Sequence, residues 1–279
     1  MFEHEGSDRT HRTNQILAGY LAAVAGYVNS AGFVLLGTFT SHVTGNVGRF
    51  ADDLALHHGA AALVAILIVG YFSGAFLASM AIESDVLRRR FNVYGGLLLA
   101  EATLLAGFAG LSYVVDTHNP YFKDLESLLL CVAMGMQNSF VTRLSGAVVR
   151  TTHLTGVVTD LGIEAARWFR LWRHKLATHT RVRLVMGSSL VVVPHAARSF
   201  LLLTIFIAFV AGSAIGAIAA LAWHQAAFLV PTLVLIAGGI FALAKGGGLD
   251  LRGRLSAPDP ELATSASRQS SSSASVDRR

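Results

Sequence analysis

Long apolar stretches with almost no charge constrain this chain more than any other feature. Ala61 to Ile82, Phe200 to Ala222 and Ala226 to Ala244 hold no charged residue. Ile16 to Gly37 is interrupted only by the polar pair Asn29-Ser30, and Tyr94 to Val115 only by Glu101. About 20 apolar residues in a helix cross a hydrocarbon core roughly 30 Å thick. A soluble domain would have to cover five such segments on every side, whereas a bilayer solvates them directly. A weaker sixth stretch runs from Leu125 to about Ser145 and is broken by Gln137, Asn138 and Arg143. The expected fold is all-α: a polytopic membrane protein with about six transmembrane helices. With 53% apolar and 14% charged residues, the 279-residue chain has the composition for it.

Basic residues give these spans a direction, because positive charge collects on the cytoplasmic side. Arg9 and Arg12 precede the first span, and Arg88, Arg89 and Arg90 follow the second. The connection after the fourth span holds Arg150, Arg167, Arg170, Arg173, Lys175, Arg181, Arg183 and Arg198, and Lys245, Arg252 and Arg254 follow the last span. Only Arg49 and Lys123 fall on the other side. Both termini are therefore expected in the cytoplasm. The net charge of +5 is explained by orientation and by attraction to anionic lipid, and nucleic acid is not needed to account for it. The first apolar run is too long for the core of a cleavable signal peptide and is expected to remain as a span. Cys131, the single cysteine, excludes an intrachain disulfide.

A polar motif occurs twice. Asn29-Ser30 precedes Ser41-His42-Val43-Thr44-Gly45-Asn46, and Asn138-Ser139 precedes His153-Leu154-Thr155-Gly156. G-x-x-x-G spacing also recurs, as Gly70 and Gly74 in the second span and Gly212 and Gly216 in the fifth, where it lets helix backbones approach closely. The chain thus divides into a cytoplasmic tail (1–15), a first three-span repeat (16–120), a second (121–245, including the basic cytoplasmic segment 163–198) and a disordered cytoplasmic tail (246–279). Three spans per repeat force the second copy into the membrane upside down, an arrangement of many secondary transporters. The stretches Gly37 to Gly48 and Gly146 to Gly162 are too rich in glycine and hydroxyls for continuous helix. Each reads as a break followed by a short half-helix whose N-terminus is partly positive, and two inverted copies are expected to aim these ends at one shared central site. Ile163 to Leu176 interleaves Trp168, Phe169 and Trp172 with arginines and reads as an interfacial helix.

The candidate substrate-binding residues are Asn29, Ser30, Ser41, His42, Thr44, Gly45, Asn46, Asn138, Ser139, His153, Thr155 and Gly156. Imidazole titrates near neutrality, and the amides and hydroxyls supply both donors and acceptors. The same groups can equally act as hydrogen-bonding glue between helices. Glu101, Arg143 and Asp160 are candidates for proton or ion coupling, with Arg143 a candidate partner for Glu101 and Asp160 for Arg150. One histidine per half does not make a metal site, no cofactor is called for, and no nucleophile, zinc or phosphate-loop motif points to an enzyme.

At Gly26-Tyr27-Val28-Asn29-Ser30-Ala31-Gly32-Phe33, at Ser41 to Asn46, and at His153 to Gly156 with Asp160, the chain resembles the YoaK-like bacterial membrane proteins, a family of unknown function. The resemblance covers roughly residues 15 to 245. It implies about six spans in the bacterial inner membrane, and it implies no substrate. Family members often carry Asp where this chain has Asn29, which removes an ionisable group there. The expected function is secondary transport of a small polar, even anionic, solute by alternating access. The competing expectation is a scaffold or sensor that recruits a cytoplasmic partner. The bilayer is the expected partner in either case, and assembly into a homo-oligomer is left open.

Overall fold

In the computed structural model the described residues are 11–57, 61–111, 121–145, 149, 151–177 and 196–245, and all their regular structure is helical. The first 10 residues and the tail expected to be disordered (246–279) lie outside them. Helix α1 (His11–Leu36) ends at Gly37, whose φ of +73° is a left-handed conformation that glycine adopts without strain. After the irregular residues 38–42 comes α2 (Val43–Ala55), then α3 (Ala61–Glu83). Ser84 caps the short α4 (Asp85–Arg90) by accepting from the Leu87 N–H. Asn92 opens α5 (Val93–Leu111) in the same way: its side-chain oxygen accepts from the Tyr94 and Gly95 N–H groups. The chain continues with α6 (Phe122–Leu144), α7 (Leu154–Ala177) and α8 (Ala196–Trp223). His224, at φ 51°, turns it through a 3-10 segment into α9 (Leu229–Lys245). Pro231 in the first turn of α9 leaves no helical hydrogen bond unmade.

Arg12–Leu36, Ala61–Glu83, Val93–Leu111 and the long stretch Ala196–Ala244, which contains both α8 and α9, are long and apolar enough to cross a membrane. The protein is therefore an integral membrane protein with several apolar helices. Helix α6 is less apolar, because it carries Lys123, Asp124, Glu126, Gln137, Asn138 and Arg143. It is instead enclosed by protein: Leu130, Ala133, Met134, Gln137, Phe140, Val141 and Leu144 are all fully buried. Polar side chains in such surroundings face other helices rather than lipid.

Glycines decide which helices pair. Helices α1 and α8 run parallel, with Gly212 on the backbone of Ala23, Gly216 on that of Tyr27 and Gly26 on that of Phe209. Helices α3 and α6 also run parallel, with Gly74 on the backbone of Val132 and Gly135 on that of Tyr71. These contacts leave no room for a side chain, so the backbones touch along both seams. One residue correspondence relates the two seams: Ala23, Gly26 and Asn29 of α1 stand where Val132, Gly135 and Asn138 stand in α6, and Phe209 and Gly212 of α8 stand where Tyr71 and Gly74 stand in α3. The expected equivalence of Gly70 with Gly212 is thus one turn out of register, and Gly70 meets the Leu128 side chain instead of a backbone. The sequence spacing alone could not fix this, since a four-residue shift keeps every glycine on the same helix stripe.

Between the seams, α1 and α6 run antiparallel: Gly32 lies against Leu130, and the Gln137 side chain donates to the Leu21 carbonyl at 2.9 Å. Helices α5 and α9 are also antiparallel. Gly95 and Gly239 abut reciprocally, and Asn92 donates to the Ala242 carbonyl at 3.3 Å. The expected break before α7 is found, but its half-helix and the expected interfacial helix 163–176 form a single element, α7. Nothing in Gly162-Ile163-Glu164 stops a helix, because Gly162 is tolerated in the interior for about 1 kcal/mol. Residues 178–195 of the basic cytoplasmic segment lie outside the described residues.

Candidate functional site

Each copy of the duplicated motif builds a compact polar cluster where a long helix meets a break. In the first, the Asn29 side-chain oxygen near the end of α1 accepts from the Ser41 hydroxyl at 2.9 Å and from its N–H at 3.4 Å. Glycine at position 32 leaves room for Thr40, which is 1% exposed and whose hydroxyl has no partner. Phe39 stacks on Phe33 at 4.2 Å and stands perpendicular to the His42 ring at 6.1 Å, closing the break over the helix end. Thr38 accepts from Arg49 of α2 at 3.4 Å. Asn46 is buried one turn into α2, Ser30 is half-buried, and Thr44 is exposed.

The second cluster is more densely bonded. Asn138 of α6 donates to the Tyr71 hydroxyl of α3 and to the Thr152 hydroxyl in the break, and accepts from Thr151 at 3.4 Å. Ser139 and Ser79 share a hydrogen bond of 2.8 Å across the same seam. Ser145, at the end of α6, accepts from the Val149 N–H at 3.0 Å and folds the chain back.

The histidines do the same mechanical task in both copies. His42 and His153 precede α2 and α7, and each ring folds back over the glycine three residues on. A Cβ on Gly45 would lie 2.6 Å from Nδ1 of His42, and one on Gly156 would lie 2.6 Å from Nδ1 of His153. The ring therefore occupies the place of a side chain, which explains why glycine recurs at that spacing. In the second copy His153 Nδ1 accepts the Gly156 N–H at 3.1 Å, satisfying one of the free donors of the first helical turn. Both imidazoles remain exposed, as does Thr155.

No hydrogen bond among the described residues joins one cluster to the other. Asn29 and Asn138 lie on opposite sides of the α1–α6 crossing, about seven residues apart along the helix axis, or roughly 10 Å at 1.5 Å per residue. The arrangement is two related clusters on either side of a shared helix crossing, rather than the single central site expected of two inverted copies. Among the described residues, no group of three His, Cys, Asp or Glu side chains gathers to hold a metal ion.

Residues 17–241 match the family described as "Protein of unknown function (DUF1275)". The chain belongs to the DUF1275 family. No curated protein and no solved structure matches it.

The charged residues of this DUF1275 chain are distributed differently from the sequence-based expectation. Glu101 is fully buried on α5, and neither carboxylate oxygen has a partner. Arg143 is not its counter-ion, because its guanidinium pairs with Glu83 at the end of α3, where both side chains are exposed. Both residues lie at C-terminal helix ends on the parallel α3–α6 seam, far along α6 from the middle of α5. Asp160 pairs with Arg198 of α8 at 2.9 Å, and Glu164 with Arg167 at 2.5 Å. Arg150, the expected partner of Asp160, lies outside the described residues.

Several DUF1275 site residues were missed from the sequence. Tyr71 lies on the α3–α6 seam against Gly135, so seam pairing alone could have placed it beside Asn138, and Ser79 beside Ser139. Thr151 and Thr152 are the two residues before the helix cap His153, in the places that Thr40 and Ser41 have before His42 in the first copy. Glu126, only 1% exposed in the first turns of α6, is held by a hydrogen bond from Gln225. Tyr20 of α1 lies within electrostatic reach of Glu101 and donates its hydroxyl to the Val234 carbonyl at 2.8 Å.

Proposed function

We propose that this protein is a secondary transporter or permease for a small polar solute, built from two inverted three-span repeats in a bacterial inner membrane with both termini in the cytoplasm. The observation that carries the reading is the exchange of partners between halves. The first long helix of each half pairs, backbone to backbone, with the second long helix of the other half: α1 with α8, and α6 with α3. Each seam is rigid because its contacts are between main chains. The α1–α6 crossing between the seams rests on side chains, Leu130 against Gly32 and Gln137 to the Leu21 carbonyl. Two stiff pairs meeting at a softer crossing are suited to rocking, the motion by which inverted-repeat transporters expose a site alternately. The helix directions support six crossings, with α6 as the span sheltered by protein.

In this reading the two polar clusters are the alternately opened sites. Asn29, Ser30, Ser41, His42, Thr44, Gly45 and Asn46 serve one side, and Asn138, Ser139, His153, Thr155 and Gly156 the other. Glu101, stripped of water and of any partner at the middle of α5, is the group best placed to bind a coupling proton. Arg143 and Asp160 act as ion-pair latches at the helix ends. No enzymatic step is assigned.

The test begins with a thermal-shift screen of the purified protein against metabolites, since a ligand that binds only the folded state stabilises it. Hits are then assayed for uptake into proteoliposomes. Single cysteines introduced by Ser41→Cys and Thr152→Cys in a Cys131→Ala background should change their labelling in opposite directions when solute is added. Labelling of both positions that ignores every stabilising ligand, together with uptake unchanged by His42→Ala and His153→Ala, would overturn the assignment.

A further inference from the structure

We infer that α7 is a docking surface for an anionic bilayer leaflet: it lies in the headgroup region, with its apolar stripe inserted and Arg170 and Arg173 on the phospholipid phosphates. The inference rests on the membrane embedding of α8 and not on transport.

Two observations on α7 carry it. The first is the pattern of its exposed face. Val158, Gly162, Ala165, Phe169 and Trp172 follow one another at helical spacing and form a continuous stripe, exposed in this single chain. Phe169 is 56% exposed and Trp172 is 58% exposed, with ring centroids 5.9 Å apart. A stripe with paired aromatics has no reason to face water, but aromatic rings are favoured at the boundary between hydrocarbon and headgroups. Arg170 and Arg173 flank it, both exposed, and neither forms an ion pair among the described residues. Arg167, by contrast, is occupied by Glu164.

The second observation sets the depth of the helix. Three contacts tie the middle of α7 to two adjacent residues in the first turn of α8: Asp160 to Arg198 at 2.9 Å, Glu164 to the Ser199 hydroxyl at 3.2 Å, and Trp168 to the same hydroxyl at 3.3 Å. From Phe200 onward α8 is uncharged and exposes Phe200, Leu203, Ile207 and Val210, the surface of a helix in lipid. The ties hold α7 at the level where α8 enters the hydrocarbon. At that level an exposed apolar stripe meets acyl chains, and arginines beside it meet phosphates. Helix α2, which occupies the corresponding place after the first break, carries Asp52 and Asp53 and no tryptophan, so the charge on the two helices is opposite in kind.

The three tryptophans, Trp168, Trp172 and Trp223, make the test direct. The full chain carrying Trp223→Phe, which leaves both reporters on α7, is reconstituted in vesicles containing phosphatidylcholine or phosphatidylglycerol with bromine at a shallow or a deep acyl position. Shallow bromines should quench more than deep ones. Brominated phosphatidylglycerol should quench more than brominated phosphatidylcholine at equal mole fraction, reflecting an enrichment of about fivefold per arginine. Arg170→Gln with Arg173→Gln should erase the lipid preference and keep the depth profile, which also shows that the variant is folded. Stronger quenching by deep bromines, equal quenching by the two lipids, or full quenching by aqueous acrylamide without a bromine effect would each overturn the inference.

Discussion

Replacing Gly74 by alanine adds one methyl group where the structure has none to spare. A Cβ there would stand 2.8 Å from the carbonyl carbon of Val132 and closer still to its oxygen, whereas ordinary contact begins near 3.4 Å. Backbone cannot rotate aside as a side chain does, so α3 and α6 must part by about 0.6 Å to clear the carbon and about 1 Å to clear the oxygen. A gap of 0.5–1 Å forfeits a quarter to a half of each dispersion contact, and each contact is worth about 0.1–0.2 kcal/mol. Over the roughly 30 to 40 atom pairs of such a seam the loss is about 1–3 kcal/mol, in the range found for overpacked cores. The better helix propensity of alanine returns up to about 1 kcal/mol. The net expectation is destabilisation of about 1–2 kcal/mol. Gly107→Ala is the control: Gly107 is helical and exposed with nothing within 4 Å of a Cβ, so it should be neutral or slightly stabilising. Cys131 is buried and is the only thiol, so a thiol-reactive dye reports thermal unfolding in detergent. Gly212→Ala should lower the midpoint by a similar amount, because Gly212 meets the Ala23 carbonyl carbon at the same 2.8 Å. If Gly74→Ala melts with or above Gly107→Ala, the close backbone approach is wrong.

Asn138→Ala should cost more stability than Asn29→Ala, because it strands Tyr71, Thr151 and Thr152 rather than Ser41 alone; about 1–3 kcal/mol is expected for the former by chemical denaturation. His153→Ala removes a helix cap and should cost about 1 kcal/mol, whereas His42→Ala, with no capping bond, should cost less in the same assay. Gly156→Ala should be harmful in the native chain but tolerated together with His153→Ala, since the clash is with the ring; a double-mutant cycle on the melting midpoint reads this coupling. Arg143→Ala should leave stability within about 0.5 kcal/mol, because its pair with Glu83 is exposed, and a large loss would mean that Arg143 serves another buried group.

The sequence was informative where a pattern had one physical meaning. Long uncharged runs required membrane helices, and breaks after Gly37 and before His153 followed from glycine and hydroxyl content. The family resemblance read at Ser41 to Asn46 and at His153 to Gly156 agrees with the match over residues 17–241. Pairing was harder to read. Gly70 and Gly74 look interchangeable in sequence, but on the α3–α6 seam the backbone contacts are those of Gly74 and Gly135, and Gly70 meets a side chain. Arg143 looked like the partner of Glu101 because both were charges in apolar surroundings, yet charge pairing depends on level along the helices, and Arg143 at the end of α6 stands level with Glu83 at the end of α3. Tyr71 was invisible for a similar reason: in an apolar span a tyrosine reads as bulk until its neighbour is known to be an asparagine.

The pairing of α1 with α8 also bears on how the protein is made. Gln15 donates to Thr204 across 189 positions of chain, so α1 emerges from the ribosome long before its partner exists. The same holds for α3, whose partner α6 follows only after α5. During synthesis the face of α1 that carries Leu17, Ala18, Leu21 and Ala22 must wait in lipid or against a helper. Early assembly is therefore an intermediate without its seams, and contacts so distant in sequence form late. Neither half should be a folding unit by itself. Two fragments divided between α5 and α6 should recover a native thermal midpoint only when they are produced together.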